Sequence, residues 1–216
     1  MTGLSASPYT DPPYAELAVT TNFSFLRAGS HPEEMVTEAK ALGLQGIGVA
    51  DRNSLAGAVR AHAAAKEVEL RLAVGARLVF RDGTPDILAY PRDRAAYASL
   101  TRLLTLGNRR APKGECHLDF ADFLAHAEGI QAIVAPALEP GAAPDAALRA
   151  CLAAIRRRCG QAWLAARFVF DVEDRRRLRL LGACAAETRA RLIAPTEPLC
   201  HAPERRALLD VLACIR

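Results

Sequence analysis

Apolar positions along the chain fall into two alternating periods. Short β-like runs occur at Glu16–Thr20, Gln45–Ala50, Leu72–Phe80, Asp86–Tyr90, Ile130–Val134, Ala162–Phe170 and Leu192–Ala194. Between them lie stretches with apolar residues three and four apart, the spacing of one helical face. These predict helices from Ser30 to about Leu42, then over Leu55–Glu67, Arg92–Leu106, Phe120–His126, Ala146–Arg158, Asp174–Glu187 and Pro203–Cys214. Ser30-His31-Pro32-Glu33 reads as a helix start. Ser30 would cap, Glu33 would return the bond, and Pro32 would sit in the first turn, where a missing N–H costs nothing. Gly43 marks the end of that helix, Arg81-Asp82-Gly83 a turn, and Pro136–Pro144 a Pro/Gly/Ala linker. Strands alternating with helices predict an α/β fold: a mostly parallel sheet with helices outside. No glycine-rich nucleotide fingerprint follows a strand, so a distorted barrel is expected rather than a dinucleotide fold. In a barrel, reactive groups belong at the C-terminal strand ends. Here those are Ala18–Asn22, Ala50–Asn53 and Thr196–His201.

Composition narrows this picture. At 216 residues and 51% hydrophobic, the chain has the makings of a buried core and excludes a disordered or collagen-like polymer. No run reaches 18 apolar residues, so no spanning helix and no membrane partner are expected. Met1–Pro13 lacks the pattern of an export signal and reads as a flexible tail, which places the protein in the cytoplasm. The six cysteines include no C-x-x-C pair and are expected as reduced, buried thiols. Charge is uneven. Residues 1–140 carry 14 basic against 16 acidic side chains, and residues 141–216 carry 14 against 8. The runs Arg156–Arg158 and Arg175–Arg177 suit either phosphate contact or the solvated faces of helices. The lack of interleaved aromatic residues favours the second.

The strand ends offer little chemistry of their own. Ala18-Val19-Thr20-Thr21-Asn22 supplies small and hydroxyl groups, which are poor metal ligands. Asp51 is a candidate ligand or base, but Arg52 beside it is a ready ion-pair partner. Glu197 lacks a histidine two residues on. His31, His62, His117, His126 and His201 have unrelated spacings.

Six segments, in order, nonetheless resemble the PHP (polymerase and histidinol phosphatase) domain of bacterial C-family DNA polymerases, in their error-prone, damage-inducible branch. They are Tyr14–Leu26, Ser30–Glu34, Asp51–Gly57, Leu103–Arg110, Lys113–Leu118 and Leu209–Ile215. The resemblance implies a distorted seven-stranded (βα) barrel over residues 14–216. In active members the barrel holds a metal cluster and hydrolyses phosphodiesters. It also implies that this chain has lost that cluster. The family's His-x-His pair falls on Ala18 and Thr20, and its Asp-His on Asp51 and Arg52. Its Gly-x-Glu falls on Gly75-Ala76-Arg77, and its Asp-x-His on Glu197 and Leu199. Removing these ligands dismantles a multi-metal site. Arg52 and Arg77 would put fixed positive charge in its place and pair with Asp51 and Glu197.

The resemblance therefore implies a metal-free scaffold with no catalytic residues, ending where the polymerase palm would begin. Polymerisation, with magnesium, would belong to that palm. The remaining polymerase domains, DNA, the sliding clamp and mutasome accessory proteins would be partners in damage-induced mutagenesis and translesion synthesis. Two other readings stay open. One is a residual metal-dependent phosphoesterase or 3′–5′ exonuclease using Asp51, Glu197 and Asp210 or a histidine. The other is a basic nucleic-acid-binding module.

Overall fold

The computed structural model describes residues 12–137 and 141–216. Most of the expected tail and the middle of the expected linker lie outside these. Seven strands form one sheet in sequence order: β1 (Ala15–Val19), β2 (Gly46–Arg52), β3 (Arg71–Leu78), β4 (Asp86–Pro91), β5 (Ile130–Ala135), β6 (Trp163–Ala165) and β7 (Arg191–Ile193). The helices are α1 (Pro32–Ala41), α2 (Ala58–Glu67), α3 (Arg94–Arg110), α4 (Phe120–His126), α5 (Ala146–Cys159), α6 (Asp174–Thr188) and α7 (Arg206–Ile215). All neighbouring strands are parallel except at β4, which runs antiparallel to both β3 and β5. The α/β class and mostly parallel sheet match the sequence reading. The reversal of β4 follows from the tight Arg81–Gly83 turn. A parallel return needs a crossover of a dozen or more residues, and no helix separates β3 from β4.

Several boundaries differ for local reasons. His31, not Ser30, is the N-cap of α1; its N–H donates to Glu34 Oε2 at 2.8 Å, so Glu34 takes the role expected of Glu33. Ser30 is withdrawn into the interior, where its hydroxyl meets His201 Nδ1 at 2.7 Å and accepts the His201 N–H at 3.0 Å. Pro32 and Gly43 behave as expected: Pro32 opens α1, and Gly43, at φ +74°, leaves it in the left-handed conformation. β2 runs on to Arg52 and α2 starts only at Ala58. β6 keeps three residues of the expected nine, because Asp174 folds the chain after it into a loop by accepting the N–H groups of Val169, Phe170 and Asp171.

Strand alternation sorts the side chains into two outer layers and an inner one. Ile47 and Val49 pack with Met35, Val36 and Ala61 of α1 and α2. Leu78, Ile87 and Val134 face Leu100, Leu103, Leu152 and Ile155 of α3 and α5. The curled inner face carries Ala18, Ala50, Leu88, Tyr90, Ile133, Ala135 and Ala165. Cys151 and Cys184 are buried, and burial pushes the Cys151 thiol up to about 12, so it packs as an inert filler.

The ladder stops at β7; no strand pairing joins it to β1. Glu16 closes that seam instead. It is 2% exposed, and its Oε2 accepts from the Thr196 N–H at 2.7 Å, the Thr196 hydroxyl at 2.5 Å and the Tyr14 hydroxyl at 2.8 Å. Its Oε1 takes the Ala18 N–H at 2.7 Å. That amide is free for the side chain because the β1–β2 register slips between Glu16 and Val19, a local bulge. Two backbone bonds continue the closure, Thr20 N–H to the Pro198 carbonyl (3.3 Å) and Gly29 N–H to the Leu199 carbonyl (2.8 Å).

The candidate site at the barrel mouth

Counting outward in steps of two from the inner face brings Thr20, Arg52, Arg77 and Asp86 to one end of the sheet, where the parallel strands finish. Arg52 and Arg77 are direct register partners on β2 and β3. Ala18 and Thr20, at 0% and 6% exposure, bring a methyl group and a hydroxyl to this end and no ligand of metal-binding strength. Leu199 lies in the segment after β7, half exposed, with its carbonyl committed to Gly29.

Arg77 spans the mouth. One guanidinium nitrogen lies 3.3 Å from Asp86 Oδ2 and another 3.2 Å from Glu197 Oε1. Arg167 adds a second cation to Glu197, at 2.9 Å. Glu197 holds a left-handed backbone, φ +53°, which costs a non-glycine residue about 1 kcal/mol or more. That conformation sets its carboxylate between the two arginines. The network borders a cleft of about 740 Å³ lined also by Asp145, the N-cap of α5, and by Leu148 of α5 and Leu181 of α6.

Asp51 belongs to a different arrangement. The expected pairing with Arg52 is not formed. Asp51 is 1% exposed; its Oδ1 accepts from the Thr21 N–H at 2.8 Å and the Ser24 hydroxyl at 2.7 Å, and its Oδ2 from the Thr21 hydroxyl at 2.7 Å. Alternation explains this, because neighbouring strand residues point to opposite faces. Arg52 faces the mouth, while Asp51 faces the loop after β1. There is no room to enlarge the cradle: a Cβ on Gly57 would come within 2.8 Å of Asp51 Oδ2.

The residues at this mouth do not fit a metal cluster. Among the described residues no three His, Cys, Asp or Glu side chains are grouped to hold an ion. The two carboxylates at ligand positions are already engaged, one by hydroxyl and amide donors, the other by arginines. Sequence reasoning found Arg77 and Glu197 but missed Glu16, Asp86 and Arg167. Glu16 had a readable signal, since a carboxylate two residues before Ala18 in an otherwise apolar strand must face inward.

Arg77→Ala is expected to lower stability by about 1–3 kcal/mol, because it strands the partly buried Asp86 carboxylate and takes one of two cations from Glu197. In a domain of this size that is a fall of about 3–8 °C in Tm. Arg52→Ala, which breaks no ion pair, should stay within about 0.5 kcal/mol of the parent. Thermal unfolding of the two variants side by side checks both.

Comparison with known proteins agrees with the geometry. The PHP domain family model matches residues 16–176. The chain is 50% identical over 209 residues to an error-prone DNA polymerase of Rhodopseudomonas palustris, and 47% identical over 205 residues to that of Caulobacter vibrioides. Each match covers 95% of this chain but 19% of the relative, so the chain spans about a fifth of the length of these polymerases. The fold is similar to that of a Bifidobacterium adolescentis protein named as a metal-dependent phosphoesterase. The TM-score is 0.65 at 17% identity, covering 88% of each chain. It is also similar to an amidohydrolase from Chromobacterium violaceum (TM-score 0.60, 14% identity, 86% of this chain and 87% of that one). No helix among the described residues is long and apolar enough to cross a membrane. On these matches, the chain belongs to the PHP domain family and is homologous to a part of error-prone DNA polymerases.

Proposed function

We propose that this chain is the PHP domain of an error-prone DNA polymerase, in which an arginine–carboxylate network has taken over the place of a hydrolytic metal centre. One observation carries the reading: Arg77, at the position of a metal-binding carboxylate, bridges Asp86 and Glu197 across the barrel mouth. A guanidinium is permanently charged, so a metal cation entering between these carboxylates would have to displace Arg77 and leave its largely buried charge unpaired. The domain then acts as a scaffold. Nucleotidyl transfer with magnesium belongs to the palm of the whole polymerase, and DNA, the sliding clamp and mutasome accessory proteins are partners of that whole in the cytoplasm. The functional context is damage-induced mutagenesis and translesion synthesis.

The test is metal content per chain after purification with manganese, zinc and iron supplied, alongside release of the 3′ nucleotide from an end-labelled primer. The expected outcome is metal near zero and no nucleotide release. Two or more tightly held ions per chain, with release abolished by a chelator, would overturn the proposal.

A further inference from the structure

The barrel mouth contains more arginine than its carboxylates engage. Arg77 and Arg167 are satisfied by Asp86 and Glu197. Arg27 and Arg52 are not: among the described residues no carboxylate oxygen comes within 4.0 Å of either guanidinium. Asp51, adjacent to Arg52 in sequence, is turned away and satisfied by Thr21 and Ser24.

The main chains of these two residues are tied to a single serine. The Ser24 hydroxyl accepts the Arg52 N–H at 2.9 Å, while the Ser24 carbonyl accepts the Arg27 N–H, also at 2.9 Å. The same hydroxyl donates to Asp51, which fixes the whole unit to the end of β2. Each arginine is also flanked by a left-handed non-glycine residue, Leu26 at φ +59° and Asn53 at φ +46°. Asn53 is clamped by Val79, whose N–H donates to its Oδ1 at 2.9 Å. Two loops are thus kept in costly conformations that bring the main chains of two half-buried arginines, neither of them ion-paired, to the same serine. Burial and the like charges of Arg52 and Arg216 push the Arg27 pKa down, with Asp86 a weaker opposing influence. Holding like charges close while restricting their hydration is unfavourable unless an anion joins them.

We propose that Arg27 and Arg52 form a binding site for a phosphate group at the mouth of the barrel, a site that rests on the metal-free reading given above. The planar forks of two arginines suit a tetrahedral oxyanion with several acceptor oxygens. The neighbouring Arg77 network supplies no competing free carboxylate, since both of its acids are engaged. The phosphate group belongs either to a nucleic-acid backbone or to free inorganic phosphate, and the two sources are separable by experiment.

The experiment is a calorimetric titration of the 216-residue chain with inorganic phosphate and, separately, with a single-stranded thymidine dodecamer, both in a chelating, low-salt buffer. Binding is expected with the chelator present. Arg27→Gln and Arg52→Gln should each weaken it about tenfold, corresponding to about 1.4 kcal/mol. Arg102→Gln, which removes an exposed charge from α3, should leave it unchanged. Tighter binding of the dodecamer, with affinity falling steeply as salt rises, assigns the site to a nucleic-acid backbone. Tighter binding of phosphate assigns it to the free anion. Absence of binding to either probe overturns the phosphate site, as does equal weakening by all three variants. Binding seen only when metal replaces chelator, with metal content above one per chain, overturns instead the metal-free reading beneath it.

Discussion

Glu16→Ala is expected to destabilise the protein by about 3–5 kcal/mol, the scale for removing a buried charged acceptor. The variant leaves three donors without their acceptor, the Ala18 and Thr196 amides and the Thr196 hydroxyl, while the Tyr14 hydroxyl keeps only the Ala194 carbonyl. Ala18 is completely buried, so water cannot stand in without opening the strand. Thermal unfolding should register a fall in Tm of about 8 °C or more. Amide hydrogen exchange distinguishes the mechanism from a general loosening. Protection should collapse first at Ala18, Thr20 and Thr196, along the seam, and survive longer at Val49 and Val134 in the middle of the sheet. Glu16→Gln should fall between the parent and the alanine variant, because its NH2 group must face a donor whichever way it is turned. A seam that keeps its protection in Glu16→Ala would show that the carboxylate does not close the barrel.

Gly75→Ala should be nearly as damaging, although it adds one methyl group. A Cβ there would lie 2.5 Å from Tyr90 Cδ1 and 2.7 Å from the Ala89 carbonyl oxygen. Neither neighbour yields easily. Ala89 is backbone in the adjoining strand, and the Tyr90 ring is pinned by its hydroxyl, which donates to the Leu17 carbonyl. Overpacking of this kind costs about 1–3 kcal/mol and sometimes more, and a backbone contact puts this site at the upper end. A double-mutant cycle with Tyr90→Ala provides the check. Removing the ring should recover part of the alanine penalty, giving a coupling of about 1 kcal/mol or more. Simple additivity would show that the ring is not what excludes a side chain at Gly75.

These two residues also show what the sequence could and could not disclose. α1 was readable because Pro32 and Gly43 act through their own backbones, within a few residues. The cap ahead of Pro32 falls one position later than the sequence predicts, since Ser30 has a partner 171 residues away, His201. Strand direction carries no mark in an alternating pattern, so the reversal of β4 could be inferred only from the brevity of the Arg81–Gly83 turn. At the mouth, alternation and the family resemblance together located Arg77 and Glu197. The partners of Asp51 were not legible, because its cradle comes from Thr21 and Ser24, 30 and 27 residues earlier, and hydroxyls in a loop give no advance notice of what they will hold. Tyr90 and Gly75 looked unrelated in sequence. Only the folding back of β4 lays the ring over the glycine.

The seam joined by Glu16 and Thr196 has a consequence for the order of events during synthesis. Its two sides are 180 residues apart, so the first strand is made long before the segment that completes its surroundings. At about 5–20 residues per second, a ribosome needs roughly 9–36 seconds to cover that interval. Once β2 has been made, β1 can pair with it, but the Glu16 carboxylate still has no Thr196 to receive. Closing so long a loop also costs entropy that no local contact offsets. The nascent domain therefore waits as a curled, open-edged sheet, and its earliest strand is among the last to be sealed.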